Sequence, residues 1–256
     1  MCLILFSYKN HPTFDLVMAA NRDEFRDRPT EKLGYWDDAP SVLAGRDLQN
    51  GGTWMGITRD GRFAAITNFR NLSTIKEDSP SRGYLVKDYL LGNDSPLDYI
   101  EKINTVASTY SGFNLLLGDM KNFYYFSNCK KGHEEITPGF HGLSNNFLNT
   151  PWPKVEKGKK GFKKILLNSL QPEIKPFFIL LSNPSQPEDG ELPRTGVSLE
   201  WERMLGPIFI NNSFYGTLSQ SLLFITKDRH VIFYERTIHR DNYKKGSVQK
   251  HSFKIE

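Results

Sequence analysis

The chain has few cysteines and no long apolar run. Its 256 residues include only 2 cysteines, Cys2 and Cys129, so a disulfide framework is excluded and a reducing compartment is favoured. The N-terminus lacks the basic and long apolar segments of a signal peptide, and no stretch is long enough to span a bilayer. We therefore predict a cytoplasmic protein without an integral membrane segment.

Charge and metal-binding patterns are equally sparse. The 33 basic and 29 acidic residues nearly balance, so we expect no nucleic-acid partner. A basic tract occurs only at residues 154–164, and we interpret it as the solvated side of a helix, with contact to acidic lipids or another polyanion as the alternative. The 6 histidines are scattered, and phosphate-loop and dinucleotide motifs are absent, so no metal or cofactor is required.

Cys2 is the residue that best indicates a chemistry. It follows Met1 and precedes an apolar run at residues 3–6. Removal of Met1 would leave a thiol beside a free α-amine, and that amine, with a pKa of about 7.7–8.0, can act as the base for the thiol. This is the arrangement of an N-terminal-nucleophile hydrolase. The alternative is that Cys2 is a small apolar residue at the start of a buried strand.

The order of predicted elements indicates an α+β fold. Strand patterns at residues 3–8 and 14–20 form a hairpin, and a polar cluster at 21–24 follows it, where it would face a cleft. Next come a second hairpin, two helices that begin near residues 83 and 96, and strands at 113–117, 123–126 and 142–144. The chain ends with helices over 153–181, a loop over 182–198 and strands at 204–210, 216–226 and 230–235. We predict one domain over residues 1–256, with two stacked antiparallel sheets between two helix layers.

Short motifs also occur in a recognisable order along the chain. They are Met1-Cys2, Ala20-Asn21-Arg22-Asp23-Glu24-Phe25, Gly51-Gly52-Thr53-Trp54-Met55-Gly56, Thr67-Asn68-Phe69-Arg70, Ser81-Arg82-Gly83, Gly112-Phe113-Asn114-Leu115, Gly142-Leu143-Ser144-Asn145, Thr150-Pro151-Trp152-Pro153-Lys154, Leu192-Pro193-Arg194-Thr195-Gly196, Tyr215-Gly216-Thr217 and Glu235-Arg236. This series resembles the NRDE family, the family of transport and Golgi organisation protein 2. Because the motifs run in order over nearly the whole chain, the sequence is identified as a member.

The resemblance implies a four-layer αββα fold of the N-terminal-nucleophile hydrolase type, distantly similar to choloylglycine hydrolase and penicillin V acylase. It implies that Cys2 is the nucleophile, that Arg22 supports it, and that Asn68 and Asn145 donate to an oxyanion. The reaction would cleave a non-peptide amide or ester, without a required cofactor.

Several of these roles have alternatives. The acidic residue of the site is Asp23 or Glu24, and Asn146 competes with Asn145. If the protein is not a catalyst, Asn68 and Asn145 would instead stabilise turns at the ends of strands. Arg22 and Asp23 would then form a structural ion pair. The resemblance also implies a set of ligand-binding residues. They are Asn21, Glu24, Trp54, Arg70 and Asn146.

One position departs from the family pattern. The family usually has Gly-Thr-Arg where this chain has Gly216-Thr217-Leu218, so activity is impaired, ligand choice differs, or Arg22 or Arg236 substitutes. The second functional class implied by the resemblance is a non-catalytic carrier of haem, or a protein that handles lipid or acyl-CoA. Haem would need an axial ligand. The candidates are Cys2, His11, His133, His141 and His230.

Overall fold

The structure is a computed structural model that describes residues 2–239 and 245–256, so the question of Met1 removal lies outside the described residues. Its strands are β1 Cys2–Tyr8, β2 Phe14–Phe25, β3 Thr30–Trp36, β4 Ala39–Asp47, β5 Met55–Thr58, β6 Phe63–Asn68, β7 Phe113–Gly118, β8 Phe123–Ser127, β9 His133–Glu135, β10 Gly139–Leu143, β11 Tyr215–Thr226, β12 His230–Ile238 and β13 Lys245–Lys254. Its helices are α1 Gly83–Leu91, α2 Pro96–Asn104, α3 Pro153–Leu167, α4 Ile174–Leu181 and α5 Leu199–Leu205. Within these described ranges, none of the helices has the length and apolar character needed to cross a bilayer.

The chain divides into two compact units whose segments alternate along the sequence. The first contains residues 1–27, 138–144 and 148–253, and the second contains residues 28–137, 145–147 and 254–256. Each unit is built on one antiparallel sheet. The expectation that residues 1–256 form one domain stays a prediction.

The first unit is a sheet of 6 strands in the order β10-β1-β2-β11-β12-β13. Helices α3 and α4 pack against one face of this sheet. Alternate apolar residues of the central strands face these helices, among them Leu3 and Leu5 of β1 and Val17 and Ala19 of β2. They form one buried cluster with Phe162 of α3, and each large side chain stabilises the unit by about 1.5–3 kcal/mol.

The second unit is a sheet of 7 strands in the sequential order β3 to β9. Helices α1 and α2 bury Tyr89 and Ile100 against it. Helix α2 begins where the sequence predicts, because Ser95 Oγ accepts a hydrogen bond from the Asp98 amide and Pro96 occupies the first turn.

The predicted α+β class with two antiparallel sheets is confirmed, whereas several individual elements differ from the prediction. The predicted strand at 204–210 is wrong, because residues 199–205 form α5, which Ser198 caps by accepting a hydrogen bond from the Trp201 amide. The polar cluster at 21–24 lies inside β2 rather than after it, because β1 and β11 pair with β2 on both sides. The sequence patterns do not indicate strands β3, β4, β9 and β13.

Candidate active site around Cys2

The register of three central strands places Cys2, Arg22 and Ser219 in one row. Cys2 of β1 lies opposite Arg22 of β2, and Arg22 lies opposite Ser219 of β11. Directly opposed residues of an antiparallel pair share a face of the sheet, and the next row lies on the other face. The next row contains Leu3, which packs towards the helices. Cys2, Arg22 and Ser219 therefore occupy the face opposite α3 and α4.

The thiol of Cys2 is buried, with 8% of the residue exposed. Burial raises the pKa of this thiol, the charge of Asp23 raises it further, and a backbone hydrogen bond with Asp23 and the charge of Arg22 oppose the rise. The hydroxyl of Ser144 donates to the Cys2 carbonyl oxygen at 3.2 Å, which fixes the backbone of the residue. A thiol with a raised pKa is protonated at neutral pH and needs a base to become a nucleophile.

Asp23 is fully enclosed at the end of β2. Thr217 Oγ1 donates to its carboxylate at 2.7 Å, and the hydroxyl of Tyr215 donates to its backbone carbonyl at 2.8 Å. Burial raises the pKa of Asp23 from 3.8 to about 6, although the charge of Lys154 lowers it. The carboxyl is therefore ionised only above mildly acidic pH.

Lys154 corrects the interpretation of the basic tract. It belongs to that tract, but it is buried, whereas Lys157, Lys160 and Lys164 are exposed. Its ammonium donates to the Leu205 carbonyl at 3.1 Å and faces the charge of Asp23. The prediction of a solvated helix side is thus wrong for Lys154, whose partners are distant in sequence.

The motif around Thr217 has a local explanation. A β-carbon added at Gly216 would lie 2.8 Å from the Ile210 carbonyl oxygen, so only glycine permits this close approach. Thr217 Oγ1, while donating to Asp23, accepts from the Ile210 amide. Leu218 falls at a register shift between Thr217 and Ser219, where a bulge redirects side chains.

The hydroxyl of Ser219 is a polar group on the same face of the sheet as Cys2. The residue is buried, and within the described part of the chain its Oγ has no hydrogen-bond partner. A buried hydroxyl without a hydrogen-bond partner lowers the stability of the protein unless a ligand or a water molecule bonds to it. Sequence reasoning missed Ser219, since only the register next to the bulge reveals its face.

A polar network occupies the opposite face. Asn21 Nδ2 donates to the carbonyls of Leu181 and Ile208, and Asn21 Oδ1 accepts from Gln220. Arg236 Nε donates to Gln220 Oε1 at 2.9 Å. These bonds give Asn21 a structural role, while its ligand-binding role stays a prediction. Arg236 lies opposite Gln220, on the side of the sheet that faces the helices. Arg22 and Arg236 are the two arginines that could replace the family arginine missing at Leu218. Of these two, only Arg22 lies on the same face as Cys2.

The predicted asparagines lie together in the second unit. Asn145 Nδ2 donates to the Asn68 carbonyl at 3.0 Å, and the Asn145 carbonyl accepts from the Arg70 amide at 2.7 Å. The Asn146 carbonyl accepts from Asn114 Nδ2 at 3.1 Å. Asn145 is buried, and Asn146 is half-buried. The oxyanion role of Asn68 and Asn145 stays a prediction.

The remaining predicted ligand-binding residues have clear local positions. The ring of Trp54 packs against the core of the second unit and lies over Gly45, where an added β-carbon would approach to 2.3 Å. Glu24 Oε1 accepts from the Phe25 amide at 2.9 Å. Neither contact identifies a ligand.

The candidate ligands for a metal ion or for haem have the following surroundings in the described residues. No group of three or more His, Cys, Asp or Glu side chains among them could hold a metal ion. Of the candidate axial ligands, His11 bonds to Ser169 and Thr13, and His230 bonds to Ser252. His141 contacts Asn149 and stacks on Phe6.

Solved structures with the same fold define the class. One is a Caenorhabditis elegans N-acylethanolamine-hydrolyzing acid amidase ortholog, with a TM-score of 0.51 and 10% identity, covering 87% of this chain and 92% of that one. Another is the C2A mutant of the conjugated bile acid hydrolase from Clostridium perfringens, with a TM-score of 0.52 and 9% identity, covering 100% and 98%. The chain therefore has the N-terminal-nucleophile hydrolase fold.

Within that class, the family follows from the sequence. The chain belongs to the Transport and Golgi organisation 2 family, whose model matches residues 1–240. The Mus musculus "Transport and Golgi organization 2 homolog" is 29% identical over 282 residues, with 100% of both chains covered. The NRDE resemblance is thereby confirmed.

Proposed function

We propose that this chain is an N-terminal-nucleophile hydrolase in which Cys2 attacks the carbonyl carbon of a non-peptide amide or ester. The observation that carries the proposal is the row of Cys2 and Arg22 on one face of the sheet, where the Cys2 thiol is buried. A cation beside a thiol favours the thiolate that must form.

The chemistry begins with removal of Met1, which frees the α-amine of Cys2. This amine takes the thiol proton, and the sulfur forms a bond to the substrate carbonyl carbon. Collapse of the tetrahedral intermediate breaks the carbon–nitrogen or carbon–oxygen bond, and the leaving group takes the proton. Water then cleaves the thioester, which releases the acid and restores the thiol.

Arg22 and Ser219 supply the polar contacts of the proposed site. Arg22 stabilises negative charge near the sulfur, and the Ser219 hydroxyl hydrogen-bonds a polar atom of the ligand. Asp23, with Lys154 and Thr217, holds the end of β2 and so acts as a positioning residue. A cytoplasmic location fits the proposal, since both Cys2 and Cys129 are free thiols and the nucleophile must stay reduced.

Intact mass spectrometry with alkylation tests this proposal. We expect a mass without Met1, alkylation of Cys2, and hydrolysis of amides from an acyl 4-nitroanilide panel that is lost in Cys2→Ala and kept in Cys129→Ala. Haem titration, followed by the Soret band, distinguishes the carrier hypothesis. Retained Met1 together with a saturable haem spectrum would refute the hydrolase.

A further inference from the structure

The outer surface of α3 carries cations that the proposed reaction does not use. Exposed residues spaced three or four positions apart form one stripe along the helix. It consists of Lys157, Lys160, Lys164 and Leu167. The opposite side of the helix, with Val155, Phe162 and Leu166, is buried in the core of the first unit. The stripe therefore points away from the sheet, as helical periodicity requires.

Helix α4 extends this surface. A β-carbon added at Gly161 of α3 would lie 2.6 Å from Leu180 of α4, so the glycine lets the two helices approach closely. Lys175 and Ile179, four residues apart on α4, are both exposed. We call the combined surface the α3–α4 outer face. It comprises Lys157, Lys160, Lys164, Leu167, Leu170, Lys175 and Ile179.

The composition of this face is unusual for a surface in contact with water alone. Leu167, Leu170 and Ile179 are 56%, 64% and 62% exposed. Neighbouring lysines of α3 are engaged, since Lys159 pairs with Glu156 and Lys163 lies over the Phe140 ring. Within the part of the chain that the structure describes, the lysines of the stripe form no such contacts.

We propose that the α3–α4 outer face docks on the surface of a bilayer that contains anionic phospholipid. Lysines attract the anionic headgroups, and their long stems let the ammonium groups reach the headgroups while aliphatic side chains enter the interface. A nucleic acid would satisfy the lysines but would leave three large aliphatic side chains without a partner. The combination therefore favours a lipid surface, and this inference is independent of the proposed reaction.

Vesicle co-sedimentation tests the proposal with the full chain. The probes are vesicles of phosphatidylcholine alone and of phosphatidylcholine mixed with phosphatidylserine. Each lysine near an anionic surface strengthens binding by about fivefold. We therefore expect vesicle binding to weaken by about 100-fold in the triple variant Lys157→Gln, Lys160→Gln and Lys164→Gln. The matched control neutralises three exposed lysines elsewhere, Lys32→Gln, Lys131→Gln and Lys227→Gln, and should keep most of the binding.

A second variant separates lipid from other polyanions. Leu167→Ser, Leu170→Ser and Ile179→Ser combined should weaken vesicle binding several-fold while leaving the far-ultraviolet circular dichroism unchanged. Binding should also fall as salt rises. The proposal is overturned by equal binding to both kinds of vesicle, by equal loss in the stripe and control variants, by a serine variant that binds as well as wild type, or by tighter binding to duplex DNA than to anionic vesicles.

Discussion

The buried ammonium group of Lys154 partly offsets the cost of ionising the buried carboxyl group of Asp23. Lys154 lies in the first turn of α3, and Asp23 lies near the end of β2. The attraction therefore joins a helix to the strand that also carries Arg22. Because both groups are out of water, removal of either one should have effects much larger than those of a surface pair.

Replacement of Lys154 by Met should destabilise the protein by about 1–3 kcal/mol at neutral pH, because Asp23 loses its cation and must take up a proton, and the Leu205 carbonyl loses its donor. The loss should be smaller near pH 4, where Asp23 is protonated in the native state. Urea denaturation at both pH values measures this. Lys157→Met, at an exposed position of the same helix, is the control and should change stability by less than about 0.5 kcal/mol. A pH-independent loss in Lys154→Met would show that the lysine acts only through its bond to Leu205.

Asp23→Asn should change how stability depends on pH. The pKa of Asp23 is raised in the native state, so its contribution is fully present below 3.8 and is lost as pH rises through about 6. Relative to the Asn variant, wild type should therefore lose stability between about pH 4 and pH 7, by at most about 3 kcal/mol. Urea titrations of both proteins across this range give the difference. A difference that grows with pH would contradict the raised pKa.

The sequence predicted elements well where the signals are local. Ser95 and Pro96 start α2 through contacts within one turn, and the apolar runs at residues 3–6 of β1 and 222–225 of β11 are visible without any partner. Helix α5 was missed although Ser198 and Glu200 form an ordinary helix start, because a segment rich in proline and glycine precedes them.

The site itself was less predictable, since its geometry depends on contacts between distant segments. Lys154 looks like its exposed neighbours in sequence, and only the fold brings it to Asp23. Ser219 has no motif of its own, and the bulge at Leu218 decides which face it occupies. Cys2 and Arg22 could be named because family motifs mark them, whereas their direct pairing required the strand register.

Asn145→Ala should destabilise the protein by about 1–3 kcal/mol, because it removes a buried amide that donates to the Asn68 carbonyl. Thermal or urea unfolding measures the change. Asn146→Ala is the matched control, since the Asn146 side chain accepts from the adjacent Phe147 amide and is half-buried. It should cost less than about 1 kcal/mol. Equal costs in the two variants would mean that the Asn145 amide is not the important contact.

Ser219→Ala should leave the fold intact or stabilise it by up to about 2 kcal/mol, because it removes a buried hydroxyl that lacks a partner. If Ser219 contacts the ligand, the same variant should raise KM for a hydrolysed amide by about fivefold, the value of one hydrogen bond. Ser7→Ala is a close control, since the Ser7 hydroxyl is also buried and unpartnered in the described residues. Ser7 lies opposite Val17 on the helix side of the sheet, so its removal should change stability in the same direction and leave KM unchanged. Melting temperatures and KM values of both variants decide the matter, and an equal change of KM in both would remove Ser219 from the site.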